Sequence, residues 1–533
     1  MSVRRLLAGV AATSLLAAPL ALAIPAHADP TFTPDGDDIV GAGSDTSMFA
    51  LSYLADGHGG VNGFNASNPA RRLVSFDANV YAADGTTQLN STTVVLRGGT
   101  GAITRPNGSG GGKRLLYAPN NNADVNFARS SSGLNSAEQT AELQAFPFAK
   151  DTLAMATSKA SNAPATLTEA QILDIYEGRT TNWSQVGGAN APIVPLIPQD
   201  NSGTRTFFEG ELTRIKGSAV TIDFTKVQKV QEHADAPIKD NANAVAPFSV
   251  GRAGLLGTLR IEQGFTAARA LYNVVRKADV GSDWAQGLFG TTGFACSPAA
   301  ASLILDAGFE QLLSQAQGGQ CGVVTTTSTP AAQLLTAKVN TTTTVSATSS
   351  AAGAATLTAT VGGGGTLKPQ GVVSFTVDGA AKGTGVVTGG KATVTATGLT
   401  PGVHKVKATF TPTGAAFNSS TSAEVDVTVK STSTAPVATK AATKLAVTFK
   451  KSYAKGAVVK GKVKVKESAT GAAAGKVVIK LGKKVVGKGT VKNGVAAVKL
   501  AKLKKGKNKL VAQYAGSSAF ASSKLAFVIT IKG

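Results

Sequence analysis

Cysteine is nearly absent: 533 residues carry only Cys296 and Cys321. Histidine is almost as scarce, with four residues, so Cys/His metal sites are excluded as an organising principle. In an oxidising compartment the two thiols most simply pair, a bridge worth on the order of 3 kcal/mol by the loop-entropy estimate. Hydrolase signatures are missing as well. There is no G-x-S-x-G elbow, no H-E-x-x-H and no convincing Ser/His/Asp set, so a non-catalytic protein without a cofactor is expected. Beyond the first 28 residues no stretch is long and apolar enough to span a bilayer, and no cysteine follows that segment to carry a lipid. Acidic residues are missing from one end: from Lys430 onward about two dozen lysines face the single acid Glu467. That imbalance is essentially the whole formal net charge of +22, so any argument about polyanions belongs to the tail.

What is present begins with MSVRRLLAGVAATSLLAAPLALAIPAHA, in which Arg4 and Arg5 precede an apolar run and the triplet Ala26-His27-Ala28. This reads as a secretory signal over residues 1–28, giving an exported chain that starts near Asp29 and is secreted or held at the cell wall. The length implies several domains. Residues 29–325 mix β-like runs (DDIVGAG, DTLAMAT, APIVPLIPQ) with helix-like ones (LTEAQILDIYEG, AARALYNVVRKA), as an α/β domain does. A Thr-rich linker, 326–341, follows. Then two segments, 342–430 and 444–533, repeat each other across a further linker, 431–443, with a period of about 100 residues. GLTPGVHKVKATFTPTGAAFNSSTSAEVDVTV aligns with KLKKGKNKLVAQYAGSSAFASSKLAFVITI. Alternating strands cut by Gly, Asp-Gly and Asn-Gly turns predict antiparallel hairpins and a β-sandwich per repeat. Both repeats resemble bacterial Ig-like repeats, a statement about architecture and not about activity.

The chemistry of the first domain lies in small polar turns ahead of helix-like runs. QDNSGTRTFF places Ser202, Gly203 and Thr204 there, with Arg205 in the first turn. DIVGAGSDTSMF offers Ser44, Asp45 and Thr46; ITRPNGSGGGKRL offers Ser109; DVNFARSSSGL presents Arg129, Ser130 and Ser131 at a strand end. Free backbone N–H groups at helix starts, hydroxyl donors and close-approaching glycines together suit a small oxyanion. A lone Ser-Gly-Thr is ordinarily an N-cap; three such turns in one domain point to a site.

This order of motifs, with LTEAQILDIYEGRTTNWSQVGG between them, resembles the bacterial phosphate-binding proteins over roughly 39–320. The resemblance implies a two-lobed solute-binding fold of the type II periplasmic kind, a phosphate-like ligand and an ABC-type transporter as partner. It places ligand hydroxyls near Asp45 or Thr46, at Ser109 and at Ser202-Gly203-Thr204. Two charged family positions differ here: the aspartate that rejects fully ionised sulfate falls on Ser131, and the arginine falls on Pro198. Arg129 and Arg205 stand near the lost positions as candidate charges, and Asp45 and Asp200 as candidate acids.

In the second repeat VVKGKVKVKES alternates, so Lys460, Lys462, Lys464 and Lys466 fall on one strand face. They are candidates for contact with anionic envelope polymers; aromatic platforms for nucleic acid are nearly absent. The leading expectation is a secreted oxyanion-binding protein with Ig-like modules as spacers or attachments. The alternative is a surface adhesin or envelope-matrix protein whose anion site is degenerate.

Overall fold

A computed structural model describes residues 29–533 apart from 82–87, 90–91, 432–438 and 468–471; the expected signal segment, 1–28, lies outside the described residues. The α/β domain is built on strands β1 (Ile39–Gly43), β2 (Leu73–Ser75), β3 (Phe127–Ser130), β4 (Gln144–Ser158), β5 (Val194–Pro198), β6 (Gln228–Val230), β7 (Ala244–Ser249) and β8 (Leu259–Val275). Its helices include α1 (Met48–Asp56), α2 (Ser109–Lys113), α3 (Glu169–Tyr176), α4 (Gly203–Lys216), α5 (Val250–Leu256) and α6 (Ala300–Asp306). The sheet order is β6-β5-β7-β4-β8-β3-β1-β2.

Two parallel groups, β2-β1-β3 and β6-β5-β7, form separate lobes. The long antiparallel strands β4 and β8 run through both and break register between Ile261 and Thr266. The run AARALYNVVRKA, expected to be helical, belongs to β8 instead. Tyr272, Val274 and Val275 pair with both β3 and β4, and that buried central position overrides the local helix preference.

Each lobe has its own core. In the first, Val40, Leu51, Phe127, Phe146, Leu271 and Phe309 pack together. In the second, α3 and α4 lay Ile172, Tyr176, Phe208 and Leu212 against Trp183, Ile197 and Phe265. Helix α3 starts with a capping box, the Thr168 hydroxyl accepting from Gln171 N–H and the Gln171 side chain accepting from Thr168 N–H. Phe208 sits edge-on to Tyr176 and fixes how α4 enters the lobe. Cys296 and Cys321 form the expected disulfide.

The Thr-rich segment is an ordered strap. Thr329 N–H donates to the Tyr272 hydroxyl, Leu313 N–H to the Leu335 carbonyl and Ala337 N–H to the Gln311 carbonyl, and Leu334 is buried. It delivers the chain to the first sandwich, where Val339 N–H bonds to Ala416. The Asp306 carboxylate at the end of α6 accepts from Thr366 and Leu367 N–H, so this sandwich docks on the first lobe.

Both repeats fold alike, with a three-stranded sheet facing a five-stranded one. Asp378 and Asn493 take positive φ in the Asp-Gly and Asn-Gly turns that the sequence marked. At matching positions His404 bridges Asp378 and the Thr400 carbonyl, while Asn508 bonds both backbone groups of Lys504. Unlike side chains thus close the same loop.

Phe208→Ala would leave a large cavity between α4 and Tyr176. The α/β domain should lose about 3–5 kcal/mol of stability in calorimetry, with the second sandwich's transition unmoved.

Candidate functional site

The turn after β1 has to pass very close to its neighbours. Gly43 has φ +127, and a Cβ there would lie 2.6 Å from the Arg129 carbonyl oxygen. This packing sets Ser44, Asp45 and Thr46, all fully buried, at the edge of the first lobe. Ser44 Oγ lies 3.2 Å from Ser131 Oγ, and Ser109 Oγ lies 3.3 Å from the same atom while accepting from Ser131 N–H at 2.9 Å. The second lobe closes on this group. Gly110 N–H donates to the Asn201 carbonyl at 3.0 Å, and Asn107 joins Gln199 and Gln231 through side-chain hydrogen bonds. Thr204 Oγ1 then stands 3.2 Å from Thr46 Oγ1.

Gly203 is the tightest point. A Cβ there would lie 2.2 Å from Ser109 Oγ and 2.4 Å from Ser131 Oγ, so any side chain would overlap both hydroxyls and push the lobes apart. Ser202 caps α4, its Oγ accepting from Arg205 N–H at 3.1 Å.

The positive charge comes from Arg269 on β8, a residue that sequence reasoning missed. Its Nη2 donates to Thr204 Oγ1 at 2.8 Å, and its Nε and Nη2 both reach Asp151 Oδ2, at 3.0 and 2.8 Å. Asp151 lies directly across the ladder on β4 and also accepts from Ser249 Oγ at 2.6 Å. Two further groups escaped notice. Glu232 Oε1 accepts from Thr46 Oγ1 at 2.9 Å and from Thr204 N–H at 3.3 Å, so a carboxylate sits at the mouth of α4. His233 Nε2 is 3.0 Å from Thr46 Oγ1. Burial, with Arg252 and Arg269 nearby, pushes the His233 imidazole well below its ordinary range, so it is neutral. No short motif announced Arg269, because it was read as part of a helix.

Other candidates sit elsewhere. Arg205 faces outward, paired with Asp200 at 2.5 Å and Glu209 at 2.8 Å, and its guanidinium lies over the Phe224 ring. Residue 205 carries the N–H that Ser202 caps, and the twist of α4 takes its side chain away from Thr204. Asp200 is exposed on the same outer side. Ser130 turns back to the Ser132 carbonyl. Arg129 is buried behind the first turn, donating to the Ser44 carbonyl and Ser75 Oγ, which makes it a buttress of the turn.

Two carboxyls near this cluster carry unusual protonation. Burial raises Asp45 to about 6, against Arg252 and with Asn79 donating to it at 2.8 Å. Burial raises Asp77 to about 8, with neither oxygen hydrogen-bonded.

The PBP superfamily domain family matches residues 86–516. The chain belongs to the PBP superfamily. The match extends beyond the α/β domain into both sandwiches. Among solved structures, this PBP superfamily chain is similar to an ABC-type phosphate transport receptor from Vibrio cholerae, with 20% identity over 51% of this chain and 98% of that one, TM-score 0.36. It is also similar to PstS from Borrelia burgdorferi, with 17% identity over 52% and 98%, TM-score 0.31. Fibronectin(III)-like modules of CbhA from Clostridium thermocellum align at 17% identity over 35% and 94%, TM-score 0.14. A search of curated protein sequences returns no match. The fold of this PBP superfamily member is therefore an α/β solute-binding domain followed by two all-β sandwiches.

Asp77 yields a prediction whose sign follows from its raised pKa. The folded state holds the proton that the unfolded chain releases above about 4, so this contribution is full below that pH and is lost as pH rises through about 8. Asp77→Asn should match the parent in melting temperature at pH 4, gain on it progressively, and level off several degrees higher above pH 8. Thermal melts across that range measure it.

Proposed function

We propose that the α/β domain is a non-catalytic clamp for a small, phosphate-like oxyanion, displayed by an exported chain whose Ig-like modules space it from, or attach it to, the cell envelope. One observation carries this reading. Hydroxyls from four separate turns, the Arg269 guanidinium and the Thr204 N–H at the start of α4 converge in one buried cluster across both lobes, and Gly203 brings no side chain into it. Fixed donors of this kind replace the water shell of an anion as the lobes close about β4 and β8. The Vibrio cholerae receptor named above serves ABC-type phosphate transport, which supports the same class of ligand and partner here.

Catalysis finds little support in the geometry. Thr46, His233 and Glu232 adjoin, but Glu232 accepts from the hydroxyl and lies 3.7 Å from Nε2, the same nitrogen that faces Thr46, while His233 Nδ1 has no partner. A carboxylate that orients a base would sit on that nitrogen. Glu232 instead restricts what enters: an anion reaching Thr204 N–H must displace this carboxylate or bring it a proton. It thereby takes up the role that Asp45 or Asp200 was expected to restore. The second reading, an adhesin with a degenerate site, is favoured by the hydroxyls already satisfying one another.

Titration calorimetry of the chain from Asp29 with phosphate and sulfate separates the two. The clamp reading expects saturable phosphate binding that Gly203→Ala abolishes without unfolding the domain. Arg269→Ala should weaken it about 10- to 100-fold, the equivalent of ~1.5–3 kcal/mol for a charged hydrogen bond. Absence of anion binding below millimolar concentration, with the fold intact, would leave the adhesin reading in its place.

A further inference from the structure

The second sandwich holds a linear feature that the anion clamp does not use. Strand Lys460–Glu467 lies at the centre of a three-stranded sheet, between Thr443–Val447 and Val495–Lys499. Its Val463 and Val465 are buried, and Lys460, Lys462, Lys464 and Lys466 all stand exposed on the outer face. Across the ladder Lys466 meets Lys444 and Lys460 meets Lys499, which are exposed too, so the row is doubled at both ends. Between those ends Lys462 lies across from the small residue Ala497, and Lys464 from Ala446 on one side and Val495 on the other. Small neighbours leave relief along the strand. One hollow of about 570 Å³ is lined by Lys460, Lys462 and Lys464, and the next, of about 460 Å³, by Lys464, Lys466, Asn493 and, at its end, Glu467. Lys464 belongs to both, so the two form one trough along the lysine row.

The only acid from Lys430 to the C-terminus is Glu467, and its carboxylate is turned to the backbone N–H of Ala473. Six ammonium groups on one sheet therefore repel one another, with the Glu467 carboxylate, at one end of the row and engaged by Ala473, as the one acid beside them. The opposite sheet also exposes Lys476, Lys488 and Lys509, but these stand on three different strands and do not form a row along one of them.

We propose that this trough is a docking surface for a linear phosphodiester polymer without bases, of the polyol-phosphate type. Three features define the partner. It is polyanionic, because only added negative charge relieves the row. It is narrow and flexible, because the trough follows a single twisted strand whose lysines recur every ~6.6 Å, twice the rise per residue. It carries its charges on the backbone of a narrow chain, because the segment from Lys430 has no arginine for bidentate contact with planar side-chain carboxylates and few aromatic side chains on which bases could stack. The proposal stands apart from the oxyanion clamp and survives if the α/β domain binds nothing.

The test uses the chain from Asp29 to Gly533 and synthetic poly(glycerol phosphate), with single-stranded DNA and polyglutamate of matched charge as competitors. Affinity for poly(glycerol phosphate) should fall on the order of 10²-fold between about 50 and about 200 mM salt, as release of counterions from roughly six contacts requires. Replacing Lys460, Lys462, Lys464 and Lys466 together by glutamine should cut that fall to less than about tenfold, while Lys476→Gln, Lys488→Gln and Lys509→Gln together change it less. Should the fourfold variant not fold, Lys462→Gln alone should make the logarithmic salt slope shallower by about 0.7. Excess inorganic phosphate at constant ionic strength should leave binding unchanged. No binding at low salt, an unaltered slope in the Lys460-series variants, equal affinity for DNA or polyglutamate, or full competition by inorganic phosphate would each overturn the proposal.

Discussion

The contact between Arg269 and Asp151 organises the α/β domain. These residues face each other across the two strands that pass through both lobes, and both are buried. A buried guanidinium needs a compensating charge and partners for its N–H groups. Asp151 supplies the charge, while Thr204 from one lobe and the Ser131 carbonyl from the other supply acceptors. The same group that satisfies the hinge strands therefore holds the mouth of α4 against the turns of the first lobe. The hydroxyl cluster acquires its geometry from that arrangement.

Around it the domain concentrates ionisable groups. Glu232 and Asp45 lie beside Arg252 and Arg269, with Asp77 and Arg129 behind the first turn. Burial keeps Asp77 protonated near neutral pH and lowers Arg129 to about 10. The cluster is thus not simply positive. The oxyanion proposed for it would be selected by directed N–H and O–H donors, as expected where desolvation is severe and only well-aimed partners compensate.

The first sandwich is part of the same body as the α/β domain, through the strap and the Asp306 carboxylate. A polar, Thr-rich composition reads as a linker, yet its backbone N–H groups find acceptors on the α/β domain, and Leu334 enters the core. Composition reports solubility of side chains; it does not say whether backbone groups are paired.

Much of the fold was legible because its signals are local. The glycine-hydroxyl turns, the capping box of α3, the Asp-Gly and Asn-Gly hairpins and the alternation of Lys460 to Lys466 each depend on residues a few positions apart. From contiguous residues the sequence alone settled an α/β domain before two sandwiches, a disulfide, and Ser44, Thr46, Ser109, Ser131, Ser202, Gly203 and Thr204 as one family of polar turns. Only the tertiary structure decided which charges join them. Arg269 reaches Thr204 because β8 pairs with β4 over its length, and Glu232 reaches Thr46 because the lobes meet. Arg205, one residue beyond Thr204, turns outward because a helix rotates about 100° per residue. Proximity in sequence determined the hydroxyls, whereas long-range strand pairing and lobe contact, which no short motif encodes, determined the ionic partners.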